Sequence, residues 1–281
     1  MQILGYHNHN FYCDGIESPE KYIQSAVYQN FKAFGFSSHA PFNFFNKWSI
    51  SYEKLNNYCS DIDYLKAKYS NEISIFKALE IDFAPEFIKE FDFFRENYEL
   101  DYIIGSIHYV INPKSKELLF IDGSKEAFIK NLKLFFGGDV EYAVKSYFAQ
   151  TAQMITSQKP DIIGHIDKII MNASDLILVN GEYPPWYLNE ISNILDVVAA
   201  NKSILELNMR GIYKGKWHTS FLDRKFLPLC KKKKIDFVVS TDAHSPDEVA
   251  LAYENGIKYL TDFGIQHTME FNNGRWLVLN Q

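Results

Sequence analysis

The sequence predicts an α/β fold in which helices cover a parallel sheet. Short, almost continuously apolar runs alternate seven times with longer helical stretches along the 281 residues, which is the pattern of parallel strands joined by helical crossovers. Polar side chains follow the ends of these runs, where barrels and open α/β sheets carry their functional groups. The pattern alone does not separate a closed barrel from an open sheet, but seven successive strands favour a seven-stranded (β/α) barrel.

The strands are expected where the apolar runs occur, at residues 3–7, 33–37, 73–79, 101–108, 161–165, 203–207 and 236–240. Their side chains are apolar at nearly every position, as in strands that are buried on both faces. Residues 259–279 are typical of a final hairpin. No linker rich in Pro, Gly or Ser divides the chain, so residues 1–281 are expected to form a single domain.

Helices are expected after each strand, at residues 18–30, 53–69, 85–97, 124–158, 184–200, 219–233 and 246–258. The first begins with Ser18-Pro19-Glu20, an N-cap residue followed by a proline that suits the first turn. The second has apolar side chains at helical spacing, namely Leu55, Tyr58, Ile62, Leu65 and Tyr69. Gly137-Gly138 interrupts the long helical region, and Pro184-Pro185 marks the start of the next helix.

The composition limits the classes of partner. A net charge of −6 gives no general attraction to nucleic acid or to an anionic membrane. An anionic substrate would therefore need metals or a few basic side chains. Three scattered cysteines do not form a disulfide framework, and the sequence begins without the features of a signal peptide. We expect a soluble, reduced, cytoplasmic protein with no nucleic-acid or membrane partner, and the sequence does not indicate its oligomeric state.

Six of the eight histidines lie just after a short apolar run. They are His7, His9, His39, His108, His165 and His244. Neutral imidazole and carboxylate are the usual ligands of zinc, manganese and iron. A single histidine at the end of a strand is more often a hydrogen-bonded core residue, but six in the same relative position indicate a multinuclear metal site.

Several carboxylates accompany these histidines. Residues two apart in a strand point to the same side, so Asp242 can reach a metal together with His244, as His7 can with His9. Glu80 closes a buried strand, where a charge needs a partner, and its two oxygens can bridge two metals. Asp82 lies on the same side and could either support a ligand or face solvent. The spacing of Asp14 before Gly15 favours a turn residue.

Basic candidates are few. Arg210 shares one side of its strand with Glu206 and Asn208, and its guanidinium suits phosphate or carboxylate. Lys214 lies in the following loop, where solvent exposure is typical, and His218 could border the pocket. The sequence has no G-x-S-x-G elbow, P-loop or dinucleotide fingerprint, so a covalent hydrolase or a nucleotide kinase is not indicated.

These motifs, in this order, resemble the PHP (polymerase and histidinol phosphatase) family, in particular its monofunctional histidinol-phosphatase branch. The matching stretches cover nearly the whole chain and are His7-Asn8-His9, Cys13-Asp14-Gly15, Gly35-Phe36-Ser37-Ser38-His39-Ala40-Pro41, Leu79-Glu80-Ile81-Asp82, Gly105-Ser106-Ile107-His108, Gly164-His165 and Ser240-Thr241-Asp242-Ala243-His244. An H-x-H pair alone is weak evidence for this family, whereas the full set of motifs in this order is strong evidence.

The resemblance implies a distorted, TIM-like seven-stranded barrel with three divalent ions of zinc, manganese or iron. One ion would take His7, His9, Glu80 and Asp242. A second would take Glu80, His108 and His165. The third would take Asp14, His39 and His244, which makes Asp14 a ligand rather than a turn residue. Catalysis would involve Asp242, His244 and Arg210, and the phosphate would contact Arg210, Lys214 and His218.

The implied reaction is the hydrolysis of L-histidinol phosphate to L-histidinol and phosphate in histidine biosynthesis. One alternative is another phosphoesterase of the same family that acts on nucleotides or other small phosphoesters. A second is an amidohydrolase-type barrel, which also begins with H-x-H but ordinarily has its last aspartate on an eighth strand. A third is a metal-binding protein without catalytic activity.

Overall fold

A computed structural model describes residues 2–280. It contains eleven strands, β1 to β11 in chain order: Ile3–Gly5, Phe31–Phe36, Ser74–Asp82, Tyr102–Ser106, Tyr109–Ile111, Leu118–Phe120, Ile162–Ile163, Ile204–Asn208, Phe237–Ser240, His267–Asn272 and Arg275–Asn280. Ten α-helices, α1 to α10, accompany them: Pro19–Tyr28, Tyr52–Lys68, Phe91–Tyr98, Lys125–Phe136, Val140–Gln158, Ile170–Ile177, Pro185–Asn201, Arg210–Tyr213, Leu227–Lys232 and Tyr253–Asp262. No helix in this part of the chain is both long and apolar enough to cross a membrane.

Seven strands form one parallel sheet in the order β1-β2-β3-β4-β7-β8-β9. The two outer strands, β1 and β9, approach each other where both end, and the amide of His9 donates to the carbonyl of Ala243 at 2.8 Å. This contact nearly closes the sheet into a barrel. The prediction of a distorted seven-stranded barrel is thereby confirmed.

Alternation along the strands separates two sets of buried side chains. Side chains such as Ala78, Tyr102 and Ile104 point into the barrel, while their neighbours, such as Leu79 and Ile103, point outward into the layer of helices. The interior set is Leu4, Tyr6, Ala33, Ala78, Tyr102, Ile104, Ile162, Ile204 and Val238. These residues fill the half of the barrel that lies toward the strands' amino ends.

The hairpin of β10 and β11 covers that amino-terminal end of the barrel. Its Met269 and Phe271 join the interior cluster, and Trp276 packs against it. The amide of Phe271 donates to the hydroxyl of Tyr6 at 2.9 Å, which fastens the hairpin to β1. The buried polar side chains of the barrel interior, such as Glu80 and Glu206, lie at the opposite, carboxyl end of the strands.

Three predicted helices begin later than expected, each for a local reason. The helix expected from residue 85 begins at Phe91, because Glu86 has a left-handed φ of 77°. In the region 219–233, Phe221 instead exchanges backbone hydrogen bonds with Asn208, and the α-helix is confined to Leu227–Lys232. The region 246–258 forms a short 3-10 turn, after which Ala252, with φ at 60°, separates it from α10.

Several small elements were not expected from the sequence. They are the β5–β6 hairpin and the helices α6 and α8. The predicted final hairpin is present, although its first residues, 259–262, belong to α10. The predicted single domain spans residues 1–281, of which residues 1 and 281 lie outside the described part of the chain.

Gly35 gives a test of the barrel interior. A Cβ at this position would overlap the hydroxyl of Tyr102, which donates to the carbonyl of Tyr6 at 2.5 Å. We expect Gly35→Ala to lower the free energy of unfolding by about 1–3 kcal/mol, the usual range for overpacking. The measurement is urea unfolding in the presence of a chelator.

Gly123→Ala is the matched control, because a Cβ there would meet Phe120 at an ordinary 3.5 Å. Its stability should stay close to that of the wild type. Equal stability of the two variants would contradict the packing described for the interior.

Candidate metal centre

Nine side chains that the sequence singled out as ligands converge at the carboxyl end of the barrel. They are His7, His9, Asp14, His39, Glu80, His108, His165, Asp242 and His244. Most follow directly after β1, β2, β4, β7 or β9, whereas Glu80 lies within β3. Seven of the nine are buried, whereas His244 is half-buried and Asp14 is partly exposed. Parallel strands end at one edge, so local motifs far apart in sequence meet there.

Eight of these nine side chains form three groups, in each of which the ligand atoms lie within 4.8 Å of one another. His165 is in none of the three groups and instead contacts Glu80. The outermost group is His9, Asp14, His39 and His244. In it, Oδ1 of Asp14 lies 3.3 Å from Nε2 of His244 and 3.7 Å from Nε2 of His39. The structure therefore brings Asp14 next to the histidines, and its backbone lies in a turn, as its spacing favoured. Its role as a metal ligand, which the resemblance implies, stays a prediction.

The second group is His7, His9 and Asp242. Oδ1 of Asp242 lies 3.2 Å from Nε2 of His9 and 3.8 Å from Nε2 of His7. The third group is His39, Glu80 and His108. His9 and His39 each occur in two groups, so the geometry does not divide the ligands as the resemblance did, and the assignment to individual ions stays a prediction.

Glu80 lies at the centre of these groups. Its Oε2 is 3.0 Å from Nδ1 of His39, 3.1 Å from Nε2 of His7 and 3.4 Å from Nε2 of His9. Its Oε1 is 2.9 Å from Nε2 of His165 and 3.8 Å from Nε2 of His108. The two oxygens thus face different sets of imidazoles, which is the arrangement that a bridging carboxylate needs.

A divalent cation fits this donor set. Nε2 of His9, Nδ1 of His39 and Oδ1 of Asp242 are buried and have no hydrogen-bond partner within the described chain. Buried polar atoms without a partner destabilise a protein, so these atoms call for a positive ligand. Imidazole nitrogens mixed with carboxylate oxygens suit zinc, manganese or iron.

The carboxylates at the centre remain ionised. Burial alone would raise the pKa of Glu80, but His7, His39 and His108 around it hold that pKa well below its ordinary value. Burial would likewise raise the pKa of Asp242, yet His7 and the neighbouring cationic groups lower it well below the usual range. Both side chains are therefore negatively charged at neutral pH, as metal ligands must be.

Two further carboxylates orient the imidazoles from behind. Nδ1 of His7 donates to Glu206 at 2.5 Å, and Nδ1 of His108 donates to Asp82 at 2.9 Å. A proton fixed on Nδ1 leaves Nε2 free to face a cation. Asp82 is thus a supporting residue rather than an exposed one. Glu206 also accepts from the amide of His165 at 2.7 Å, a role that the sequence did not reveal.

A cavity of about 300 Å³ opens above the three groups. Its wall includes Arg210 on one side and Lys168 on another, with Trp48 and Phe120 as apolar surfaces. Sequence reasoning predicted Arg210 but missed Lys168. The signal that could have found it is a lysine three residues after His165, within a segment rich in isoleucine.

Lys168 is buried beside the metal centre. Its Nζ lies 2.8 Å from Asp122 and 3.2 Å from Nε2 of His108. Burial would lower the pKa of this amine, but Asp122 raises it above the usual value, so the side chain stays cationic. Lys168 and Arg210 therefore present positive charge to the same cavity.

Lys214 and His218, which were expected to contact phosphate, do not line this cavity in the described chain. The ammonium of Lys214 forms an ion pair with Glu248. His218 is exposed and packs against Trp217, with ring centroids 4.2 Å apart. A role of Lys214 and His218 in phosphate binding stays a prediction, which the lining of this cavity does not support.

A nearly closed seven-stranded β/α barrel with histidine and carboxylate groups at its carboxyl end defines a barrel-type metalloprotein. The sequence model of the PHP domain matches residues 5–210. The chain therefore belongs to the PHP domain family. This result agrees with the resemblance and disfavours the amidohydrolase alternative.

Two proteins with similar sequences are named as histidinol-phosphatases. The histidinol-phosphatase of Bacillus subtilis is 26% identical over 274 residues, which cover 90% of this chain and 98% of that protein. A Schizosaccharomyces pombe protein named "Probable histidinol-phosphatase" is 27% identical over 258 residues, covering 88% of this chain and 81% of its own length.

A solved structure shows the same fold. It is that of histidinol phosphate phosphatase from Lactococcus lactis, complexed with zinc, L-histidinol and phosphate. Its TM-score to this chain is 0.72 at 19% identity, and the match covers 98% of both chains. The barrel described above is therefore the fold of that enzyme over the whole chain.

Removing the central carboxylate tests the metal centre directly. Glu80→Ala deletes both oxygens that face the imidazoles. We expect metal affinity to fall by more than the ~10–100-fold that is typical when a residue hydrogen-bonded to a ligand is removed. The measurement is metal per chain by mass spectrometry after reconstitution and desalting. The control is Glu182→Ala, an exposed residue paired with Lys225. A Glu80→Ala protein that keeps the full metal content would rule out this site.

Proposed function

We propose that this protein is a metal-dependent phosphatase that hydrolyses L-histidinol phosphate to L-histidinol and phosphate. The substrate is inferred from the match to named histidinol-phosphatases over about nine tenths of this chain. The reaction is inferred from a cavity in which Lys168, Arg210 and Lys216 lie beside a centre of histidines and carboxylates.

The anionic end of the substrate would lie between Arg210 and Lys168. Both side chains line the cavity, and both are held by hydrogen bonds or ion pairs. Such preorganised donors stabilise charge that develops on phosphoryl oxygens in the transition state. Three divalent ions against Asp14, Glu80 and Asp242 would leave a formal surplus of positive charge, so the site attracts a dianion despite the negative net charge of the chain.

The divalent ions, when bound, would supply Lewis-acid charge and a water of lowered pKa. The chain's own residues perform the remaining tasks. Glu80 and the histidines around it would hold the ions in fixed positions, with Glu206 and Asp82 orienting the rings from behind. Asp242 and His244 line the cavity and complete the proposed catalytic set with Arg210.

The other end of the substrate, an imidazole ring and an ammonium group, would lie toward the mouth of the cavity. Trp48 and Phe120 form an apolar wall there, with ring centroids 6.0 Å apart and planes inclined by 23°. Asp122 adds a carboxylate to the same wall. We assign the flat ring to the aromatic wall of Trp48 and Phe120.

Three details of the proposal concern the whole chain. We propose that residues 1–281 act as a single domain, because one sheet draws its strands from residue 3 to residue 240. We propose three ions, of zinc, manganese or iron, because the ligand atoms form three groups. We propose a cytoplasmic location, in keeping with three cysteines that are all unpaired.

Substrate preference tests the proposed activity. For manganese-reconstituted protein we expect kcat/KM on L-histidinol phosphate to exceed that on p-nitrophenyl phosphate or a nucleotide monophosphate by at least ~100-fold. Of the three compounds, only L-histidinol phosphate has both an imidazole ring and an aliphatic amino group beside its phosphate. Phosphate release is the measurement. Equal turnover of all three compounds would remove the substrate assignment, and absent turnover with metal bound would contradict a phosphatase.

Lys168→Met tests the phosphate site. We expect it to lower kcat/KM by roughly 10²–10³-fold, as is typical when one preorganised donor to a developing charge is removed. The control is Lys233→Met, which removes an ion-paired lysine at the end of α9 on the outer surface. Steady-state kinetics that are identical for the wild type and Lys168→Met would exclude Lys168 from the phosphate site.

A further inference from the structure

Asp242 has a left-handed backbone conformation, with a φ of 54°. This conformation is uncommon for residues other than glycine, although aspartate takes it more readily than most. Such a conformation persists only where the surroundings fix it. Asp242 belongs to one of the three ligand groups, so whatever fixes its backbone also places its carboxylate.

The carbonyl of Asp242 is the point at which this backbone is held. It accepts from Nη1 of Arg210 at 2.7 Å, from Nδ1 of His244 at 3.0 Å and from the hydroxyl of Tyr213 at 3.3 Å. The same hydroxyl donates to the carbonyl of Thr241 at 2.8 Å. Tyr213, on α8, thus contacts two consecutive carbonyls of the loop that follows β9.

Glu248 holds the next part of this loop. Its Oε2 accepts from the amide of His244 at 2.8 Å and lies 3.3 Å from Nη1 of Arg210. Its Oε1 forms the ion pair with Lys214.

These contacts also set the tautomer of His244. When its Nδ1 donates to the carbonyl of Asp242, its Nε2 carries no proton and faces Asp14 at 3.3 Å. A neutral ring with a free Nε2 is the form that binds a divalent cation. The position of the Asp242 carbonyl therefore decides whether His244 can serve as a ligand.

We propose that Tyr213 and Glu248 are positioning residues that lock residues 241–244 so that Asp242 and His244 meet the metal groups. Neither side chain is a ligand candidate, and neither lines the cavity. Both act through Asp242, His244 and Arg210. The proposal rests on the proposed metal-dependent function, but not on the identity of the substrate.

Cobalt binding without substrate is the test, because the visible absorption of cobalt reports ligand geometry and a chelator competition gives affinity. We expect Tyr213→Phe to weaken the most weakly bound cobalt by ~10–100-fold and to change the absorption band. The substitution keeps the ring and removes one hydroxyl. Glu248→Gln, which keeps the shape but not the charge, is expected to show a smaller change in the same direction.

The matched control is Tyr69→Phe, which removes a half-buried hydroxyl that donates to Glu20 at 2.9 Å, away from the centre. Cobalt affinity and spectrum should match the wild type in this variant. If Tyr213→Phe and Glu248→Gln also match the wild type, the proposal is overturned. If they differ while the wild type does not hydrolyse L-histidinol phosphate, the positioning role stands and the proposed substrate fails.

Discussion

Glu80 is the residue on which the metal centre depends, because a single buried carboxylate faces imidazoles from several strands at once. Four histidine side chains lie within 3.4 Å of its two oxygens. Without a negative charge at this point, the rings of His7, His9, His39 and His165 would be packed together with no common partner. Burial and charge act in opposite directions here, and the surrounding rings decide the result in favour of the ionised form.

The barrel makes this concentration of polar groups possible by dividing its interior into two halves. Alternation along β3 places Ala78 in the apolar half and Glu80 in the polar half, two residues apart on the same side. Along β8, Ile204 and Glu206 are divided in the same way. One register therefore serves both packing and chemistry, because a one-residue slip in either strand would turn both side chains out of the barrel and into the layer of helices.

The fold class and the ligand candidates could be predicted because their signals are local. An apolar strand that ends in histidine is visible in a few residues, as at His108 or His165. The residues that support the centre could not be found this way, since Lys168, Glu206 and Tyr213 gain their roles from partners far away in the chain. Two helix starts were misplaced where a left-handed residue, Glu86 or Ala252, interrupts the chain, and a third where Phe221 pairs with Asn208, and periodicity reveals none of these. Asp14 was recognised only through the family resemblance.

The hairpin of β10 and β11 limits access to the candidate metal centre. It packs Met269, Phe271 and Trp276 onto the apolar half of the barrel, so the centre is approached from the carboxyl end alone. Under the proposed function, ions, substrate and both products would all enter and leave through this one opening. Ions held by the buried ligand candidates would then have to bind before the organic substrate enters.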